Sequence, residues 1–413
     1  MDVHYYAALD RLIRPIAAGR LPNDPGPMRA LLAALGHPER AMPLVVIAGS
    51  TGKGTTALRL AAGVAASGRR VGLYTSPHLH SFRERFAILD RRPVPTFVTP
   101  EAFVAHAGAV EAASAALGYA PSTFESATAL AFRWFAAEAV DIVICEIGLG
   151  GRFDAVNAAP NVLALMGPIE REHAAMLGGT LESIAWHKAG VIALGGRAIT
   201  VPQLPSVFAV LEAEADRQKA TLTVAGDLAA AGLTVLQEIG LAPPRAAILD
   251  SVALPGRLER VAVGGRRVLI DGGHTPLAAQ RLANTIVPDL AGGVRIIVGM
   301  LADKDTAAYL APLDVPGITL VLTTAPSERA QSPQALRAAF EPRHAMVEEE
   351  PSFVAAMEAG LMGPGSLLVI TGSLRMAAAA REALGLLTES ELEESRRTRA
   401  LFEGPGYRAR WQS

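Results

Sequence analysis

A glycine-rich turn with one lysine and three threonines gives the sequence its strongest chemical signal. Residues 48–56 read Ala-Gly-Ser-Thr-Gly-Lys-Gly-Thr-Thr, after an apolar run and before a stretch with helical spacing. Glycines let the backbone wrap phosphate oxygens, and a helix start offers free N–H groups and a positive dipole end. A lysine neutralises phosphate charge, and a hydroxyl can ligate Mg²⁺. The turn predicts a phosphate-binding loop of Gly49, Ser50, Thr51, Gly52, Lys53, Gly54, Thr55 and Thr56.

The loop departs from the strict Walker pattern, because Gly54 separates Lys53 from Thr55 and the first glycine lies closer to the lysine than that pattern requires. A glycine-rich connection without a ligand is the alternative interpretation. The strand pattern before the turn and the helical pattern after it favour phosphate binding.

Two further residues could hold a metal, and a lysine follows them in the sequence. Glu146 ends an apolar run and precedes a glycine-rich stretch, and a carboxylate at the carboxyl end of a strand can bind Mg²⁺. His173 follows the next apolar run, so it is either a second metal contact or a loop histidine. Lys188 lies on a helix predicted to begin near Thr180, where a lysine is ordinarily interpreted as a solvated side chain.

A second glycine-containing turn also directly follows an apolar run. It covers residues 271–276, Asp-Gly-Gly-His-Thr-Pro. Asp271 could accept a ribose hydroxyl, and His274 could contact the base, ribose or phosphate; a plain turn is the alternative. Arg257, in Pro255-Gly256-Arg257, supplies a cation near the predicted domain junction.

The elements that position these residues are short buried strands alternating with alanine-rich helices, typical of parallel α/β sheets with right-handed crossovers. Ligands of such sheets bind beyond the carboxyl ends of the strands, where the polar residues fall. Helices are predicted over 56–67, 126–137 and 227–239, and 195–254 otherwise lacks strong strand signals. The predicted strands cover residues 44–47, 142–144, 162–165, 268–270, 296–298, 320–322 and 367–370.

We expect an α/β protein of two parallel-sheet domains, one at 1–250 that carries the phosphate loop and a smaller one at 251–387, joined near Pro244–Gly256. Residues 388–413 form a charged helical tail, because Thr388-Glu389-Ser390-Glu391 resembles a capping box and arginines follow near the end. This helix is either solvated or serves as a lid or oligomer contact.

The composition argues against a nucleic-acid-binding protein and against a membrane protein. The 413 residues carry 38 basic and 40 acidic side chains, so no broad electrostatic footprint for nucleic acid is present. No apolar run is long enough to cross a bilayer, and the N-terminus lacks a signal-peptide pattern, so we expect a cytoplasmic protein that uses neither membrane nor nucleic acid. The single cysteine, Cys145, lies in an apolar run and is expected in the core.

Together and in this order, these motifs resemble the folylpolyglutamate/dihydrofolate synthase family, relatives of the Mur ligases, from about Met42 to Arg381. Besides the turns above, the motifs that carry the resemblance are residues 71–79 with Phe82, Glu84 and Arg85, Phe124-Glu125, residues 146–154 with Asn157, residues 180–190, Gly299 with residues 303–305, and residues 371–373.

The resemblance implies that the domain at 1–250 is a parallel-sheet P-loop ATPase domain and that the domain at 251–387 is Rossmann-like. It also implies roles for individual residues. Lys53 would hold the β- and γ-phosphates of ATP, Thr55 and Glu146 a first Mg²⁺, and His173 a second, with Lys188 carbamylated to help position it. Arg257 would meet phosphate, and Asp271 and His274 the nucleotide. Lys53, Lys188, His173 and Arg257 would be the catalytic set, and the acceptor side would be formed by Ser76, Pro77, His78, Phe124, Arg152 and Asp154.

The activity implied is ATP-dependent addition of glutamate to dihydropteroate or tetrahydrofolate through an acyl phosphate, by a monomer with small-molecule substrates. Two alternatives stay open: a Mur-type ligase for a non-folate carboxylate, and an ATP-binding relative without catalysis. The chain departs from the family pattern at Gly273 and Thr275, in a shorter stretch between Lys188 and Arg257, and in the absence of Gln and Asn after Asp227.

Overall fold

The computed structural model describes residues 3–14, 23–91, 93–242, 249 and 252–403. They fall into two compact units, one of Met1–Val252 with Ser395–Ser413 and one of Ala253–Glu394. The junction predicted near Pro244–Gly256 lies largely outside the described residues. No helix in the described ranges combines the length and apolar character needed to span a membrane.

The first unit is built on a mostly parallel sheet. Its strands are β1 Leu44–Ala48, β2 Arg70–Tyr74, β3 Phe86–Asp90, β4 Thr96–Phe97, β5 Ile142–Glu146, β6 Leu163–Met166, β7 Arg197–Thr200 and β8 Thr221–Val224. Their order is β4-β3-β2-β5-β1-β6-β7-β8, with antiparallel pairing only at β2–β3 and β3–β4 among the described strands. The central strands β1 and β5 are buried at every position, as expected of strands covered on both faces.

Helices cover the sheet of the first unit. They are α1 Val3–Leu12, α2 Gly26–Ala34, α3 Lys53–Ala65, α4 Pro100–Ala116, α5 Thr123–Ala137, α6 Leu181–Ala189, α7 Pro205–Arg217 and α8 Leu228–Glu238. One face of the sheet and the helices α1, α2, α4, α5, α6 and α7 share an apolar core that includes Cys145, as predicted for this residue. Register pairs Ile47 of β1 with Glu146 of β5, so the phosphate loop and this carboxylate leave the sheet at the same edge.

The second unit is a smaller sheet of the same kind. Its strands are β9 Glu259–Val263, β10 Arg266–Ile270, β11 Val294–Val298, β12 Ile318–Leu322, β13 Met346–Glu349 and β14 Leu367–Thr371. They are ordered β13-β12-β11-β14-β10-β9, and only β9 runs antiparallel within the described sheet. Its helices are α9 Pro276–Ile286, α10 Thr306–Leu310, α11 Pro333–Ala339, α12 Phe353–Met362 and α13 Leu374–Ala383.

The predicted strands and helices are confirmed, with ends shifted by a few residues. The prediction for 195–254 was incomplete, because this stretch also contains β7 and β8. Strand β8 is largely exposed, so it lacks the continuous apolar run that marks a buried strand.

The last helix, α14, covers Glu389–Glu403. Thr388 caps it as predicted, because its hydroxyl accepts from the Glu391 N–H and the Glu391 carboxylate accepts from the Thr388 N–H. The interpretation of a simply solvated helix is wrong, since Ser395 and Thr398 are buried.

Candidate functional site

The phosphate loop has a backbone that only glycine adopts easily at two points. Gly49 has φ 141° and a side chain there would lie 3.0 Å from the Gly167 Cα, while Gly52 has φ 82° directly before α3. The loop therefore ends β1 sharply and directs the first turn of α3, including Lys53 and Thr55, toward the edge of the sheet. This is the strand, turn and helix arrangement predicted for phosphate binding.

The loop that follows β6 holds the phosphate loop in place. The Ser50 N–H donates to the Pro168 carbonyl at 2.8 Å, and the Ser50 hydroxyl accepts from the Glu170 N–H at 3.0 Å. The Thr51 hydroxyl donates to the Glu170 carboxylate at 2.7 Å. No role was assigned to Glu170 from the sequence, although its position just past the end of β6 was a usable signal.

Two lysines and one carboxylate converge on this loop. Lys53 Nζ lies 4.0 Å from Glu146 Oε1, and Lys188 Nζ donates to the Gly49 carbonyl at 2.6 Å. Lys188 is only 4% exposed, so its interpretation as a solvated helix lysine is wrong. Burial, and then the charge of Lys53, lower the pKa of the Lys188 amine to about 7.

Glu146 also reaches the residues predicted on the acceptor side. Its carboxylate is buried, and Oε2 accepts from the Ser76 N–H at 3.0 Å. The Ser76–Pro77 peptide bond is cis. His78 follows, and its Nδ1 accepts from Arg85 Nε at 3.1 Å. The structure thus places Ser76 against the candidate metal carboxylate.

His173 has a side chain that is more exposed than those of Glu146 and Lys188. It has a left-handed backbone (φ 54°), its side chain is 40% exposed, and its Nε2 lies 3.7 Å from the Glu172 carboxylate. Across the described ranges, no three His, Cys, Asp or Glu side chains are arranged to hold a metal by themselves. Thr55 and Glu146, as oxygen donors beside the phosphate loop, fit a hard cation such as Mg²⁺ whose remaining ligands are phosphate and water oxygens.

Phe124 and Asp154 shape the glycine-rich loop after β5. A side chain at Gly148 would lie 2.6 Å from the Phe124 ring, so the loop and the ring are in close contact. The Asp154 carboxylate accepts from the N–H groups of Gly148 and Leu149 at 3.1 and 3.0 Å. Burial raises the pKa of Asp154 to about 6, while the backbone N–H groups and Lys53 act in the opposite direction.

Arg152 ties this loop to the helix that carries Lys188. Its guanidinium donates to Glu214 at 2.9 Å and to the Trp186 carbonyl at 3.1 Å, and lies 4.1 Å from the centre of the Trp186 ring. Its backbone N–H donates to the His187 carbonyl at 2.7 Å. These contacts engage the side chain that was predicted to face the acceptor.

The second unit brings its own predicted residues together. The Asp271 carboxylate accepts from the Leu258 N–H at 3.2 Å, and the Gly272 N–H donates to the Gly256 carbonyl at 2.7 Å, so Arg257 and Asp271 lie in adjoining turns. The pKa of the buried Asp271 carboxyl is raised, because the effect of burial exceeds the opposing effect of the Arg257 charge. His274 Nδ1 lies 3.2 Å from the Gly272 carbonyl.

Comparison with known proteins places the chain. Residues 256–374 match the family described as Mur ligase, glutamate ligase domain. The chain is 31% identical over 423 residues to a probable bifunctional folylpolyglutamate synthase/dihydropteroate synthase of Haloferax volcanii; the match covers 90% of this chain and half of that protein.

In two further comparisons the match covers more of the related protein. A crystal structure of the bifunctional folylpolyglutamate synthase/dihydrofolate synthase of Yersinia pestis, complexed with AMPPNP and a manganese ion, superimposes with a TM-score of 0.77 at 26% identity, over 87% of this chain and 93% of that chain. The dihydrofolate synthase/folylpolyglutamate synthase of Mycobacterium tuberculosis is 35% identical over 370 residues, which are 74% of this chain and 75% of that protein. This chain therefore belongs to the folylpolyglutamate/dihydrofolate synthase family.

Proposed function

We propose that the protein is an ATP-dependent ligase that joins L-glutamate to a folate-type carboxylate, dihydropteroate or tetrahydrofolate, through an acyl phosphate. The observation that carries this proposal is the convergence of Lys53, Lys188 and Glu146 on the phosphate loop of a chain that belongs to a family of such ligases.

The reaction needs activation because a carboxylate is a poor electrophile. A carboxylate oxygen forms a bond to the γ-phosphorus while the bond to the ADP oxygen breaks. The glutamate amine then attacks the carbonyl carbon, phosphate leaves, and the amine loses a proton as the amide forms. Lys53 and the loop N–H groups are suited to hold the phosphates and to stabilise negative charge in the transition state.

Thr55 and Glu146 would hold a first Mg²⁺, which supplies charge neutralisation at the phosphates. Lys188 and His173 would serve a second. A pKa of about 7 leaves a substantial neutral fraction of the Lys188 amine near neutral pH. A neutral amine is the form that reacts with carbon dioxide, which supports the proposal that Lys188 becomes carbamylated.

The remaining assignments follow the family resemblance. The acceptor carboxylate would be faced by Ser76, Pro77, His78, Phe124 and Asp154. Arg152 would position the loop Gly148–Asp154 on the same side. Arg257, Asp271 and His274, in the second unit, would contact the nucleotide. We also propose a cytoplasmic monomer without nucleic-acid or membrane partners, supported by the nearly balanced charge and the single buried cysteine.

The test is phosphate release and product mass. Protein with ATP, Mg²⁺ and glutamate should release phosphate only when dihydropteroate or tetrahydrofolate is added, and the product should gain one glutamate residue. Lys53→Ala should abolish both signals, whereas Lys219→Ala, on the exposed surface of the same unit, should leave them unchanged. Nucleotide binding without turnover on either pterin would overturn the folate assignment.

A further inference from the structure

The inference concerns one segment of the last helix, Ser395–Phe402, which packs within the first unit. The ring of Phe402 stacks on Phe82, with 5.6 Å between centroids and 16° between planes. The same ring lies 5.2 Å from the His78 ring. The end of the helix therefore contacts the loop that begins at the candidate acceptor residues Ser76, Pro77 and His78.

The start of the segment contacts the same loop by a buried polar pair. Ser395 Oγ lies 3.2 Å from His80 Nδ1, and the two residues are 2% and 8% exposed. Positions 395, 398 and 402 are spaced by three and four residues, so they share one face of the helix. Thr398, between the two contacts, is also buried. One helix face thus lies along the loop.

The loop itself is braced on both sides. The Glu84 carboxylate accepts from the N–H groups of Leu79, His80 and Ser81 at 2.7, 2.9 and 2.7 Å. At its other end the Ser76 N–H donates to Glu146, the candidate Mg²⁺ ligand. His78 and His80 therefore lie in the same loop as Ser76, whose N–H contacts the candidate Mg²⁺ ligand.

We propose that the segment Ser395–Phe402 positions the acceptor loop, and that Phe402 and Ser395 are positioning residues that set the affinity for the acceptor carboxylate. This rests on the proposed function of the loop. The phosphate loop is held independently, by Ser50 and Thr51 against the loop after β6. The helix should consequently affect the acceptor and not the nucleotide.

The first experiment is steady-state kinetics of the full chain with Phe402→Ala. We expect KM for dihydropteroate or tetrahydrofolate to rise by roughly tenfold or more, since small misplacements of positioning groups are costly. The affinity for AMPPNP should stay within about twofold, because the phosphate loop has its own supports. Phe402→Leu should recover most of the loss, and Arg396→Ala, at an exposed position of the same helix, should behave as wild type.

Hydrogen exchange provides a measurement that does not need turnover. The amides of Leu79, His80 and Ser81 should exchange faster in Phe402→Ala and in Ser395→Ala than in Arg396→Ala, at equal global stability by urea unfolding. If these amides exchange faster in the two variants but the wild-type protein does not ligate either pterin, the proposed function fails while the positioning role of the helix stands. Unchanged exchange, or a fall in AMPPNP affinity equal to that in acceptor affinity, would overturn it.

Discussion

At the scale of single residues, position next to a strand or a glycine turn explains which side chains could be assigned from the sequence. Lys53 and Glu146 were predicted because each directly follows a recognisable apolar strand or glycine turn. Lys188 is on a helix with a weakly amphipathic pattern, and nothing local reveals that its amine reaches the Gly49 carbonyl. Such a contact joins residues far apart in the chain and was not predicted; Lys188 itself was singled out by the family resemblance and not by its residue type.

Asp154 gives a prediction about pH. Its pKa is raised to about 6 from an ordinary value of 3.8, chiefly by burial. Between about pH 4 and 6 the folded state therefore binds more protons at this carboxyl than the unfolded chain, and its contribution to stability falls as the pH rises through that window. The fully ionised form costs at most about 3 kcal/mol relative to the protonated form.

Asp154→Asn cannot ionise, so it should remove this slope. It also loses acceptor capacity for the N–H groups of Gly148, Leu149 and Val156, which lowers stability at every pH. Urea unfolding at pH 4.5 and 7.5 measures the difference, with Asp90→Asn at an exposed position as the control. If Asp154→Asn keeps the wild-type difference between the two pH values, the carboxyl is not the source of the slope.

At the scale of elements, the Arg152 contacts join the loop after β5 to α6. Glu214 binds two arginines, Arg152 and the exposed Arg217, but only Arg152 also contacts Trp186. Exposed ion pairs contribute about 0–1 kcal/mol, whereas a partly buried guanidinium that bridges two elements fixes their relative position. The two arginines are therefore a matched pair for testing the connection.

Arg152→Ala is predicted to lower kcat by roughly tenfold or more, because Lys188 and the Gly148–Asp154 loop lose their mutual alignment. Arg217→Ala should keep kcat within about twofold, since its ion pair is solvated. Both variants are compared by kcat and by the midpoint of urea unfolding. Equal losses of activity in the two variants would mean that Glu214 matters only as a charge, and not through the loop.

Gly148 tests the packing of the same loop from its other side. A methyl group there lies 2.6 Å from Phe124 Cζ, closer than carbon atoms approach without displacement. Gly148→Ala should raise KM for the acceptor severalfold by moving Phe124, and leave AMPPNP affinity unchanged. Gly108→Ala, in α4 where a methyl group has open space, should not change KM and should stabilise the helix by about 1 kcal/mol.

Among the elements, sequence patterns predicted the most deeply buried central strands but missed the edge strands and also the largely buried strands β2 and β3. Strands β1, β5 and β14 are buried throughout and appear as uninterrupted apolar runs. Strands β4, β8 and β13 are mostly exposed, so their composition is mixed and their pairing depends on neighbours distant in sequence. For residues 195–254 this explains why β8 was missed, but β7, which is buried at three of its four positions, was missed as well.

At the scale of the molecule, the repeated strand and helix pattern predicted two α/β units. It could not predict that Ser395–Phe402 pack within the first unit, because that depends on the contacts of Ser395 and Phe402 with His80 and Phe82. Polar and apolar residues at helical spacing indicate an amphipathic helix but do not identify the surface that it covers.

Nucleotide binding should stabilise the first unit measurably. A ligand that binds only the folded state adds about 2.7 kcal/mol at a hundred times its dissociation constant. AMPPNP with Mg²⁺ should therefore raise the unfolding midpoint and slow hydrogen exchange in the phosphate loop, residues 49–56, where Lys53 and the start of α3 lie. Lys53→Ala should lose most of this shift, while Lys219→Ala should retain it. Protection that is absent from 49–56, or that persists fully in Lys53→Ala, would place the nucleotide elsewhere and remove the basis of the proposed ligase mechanism.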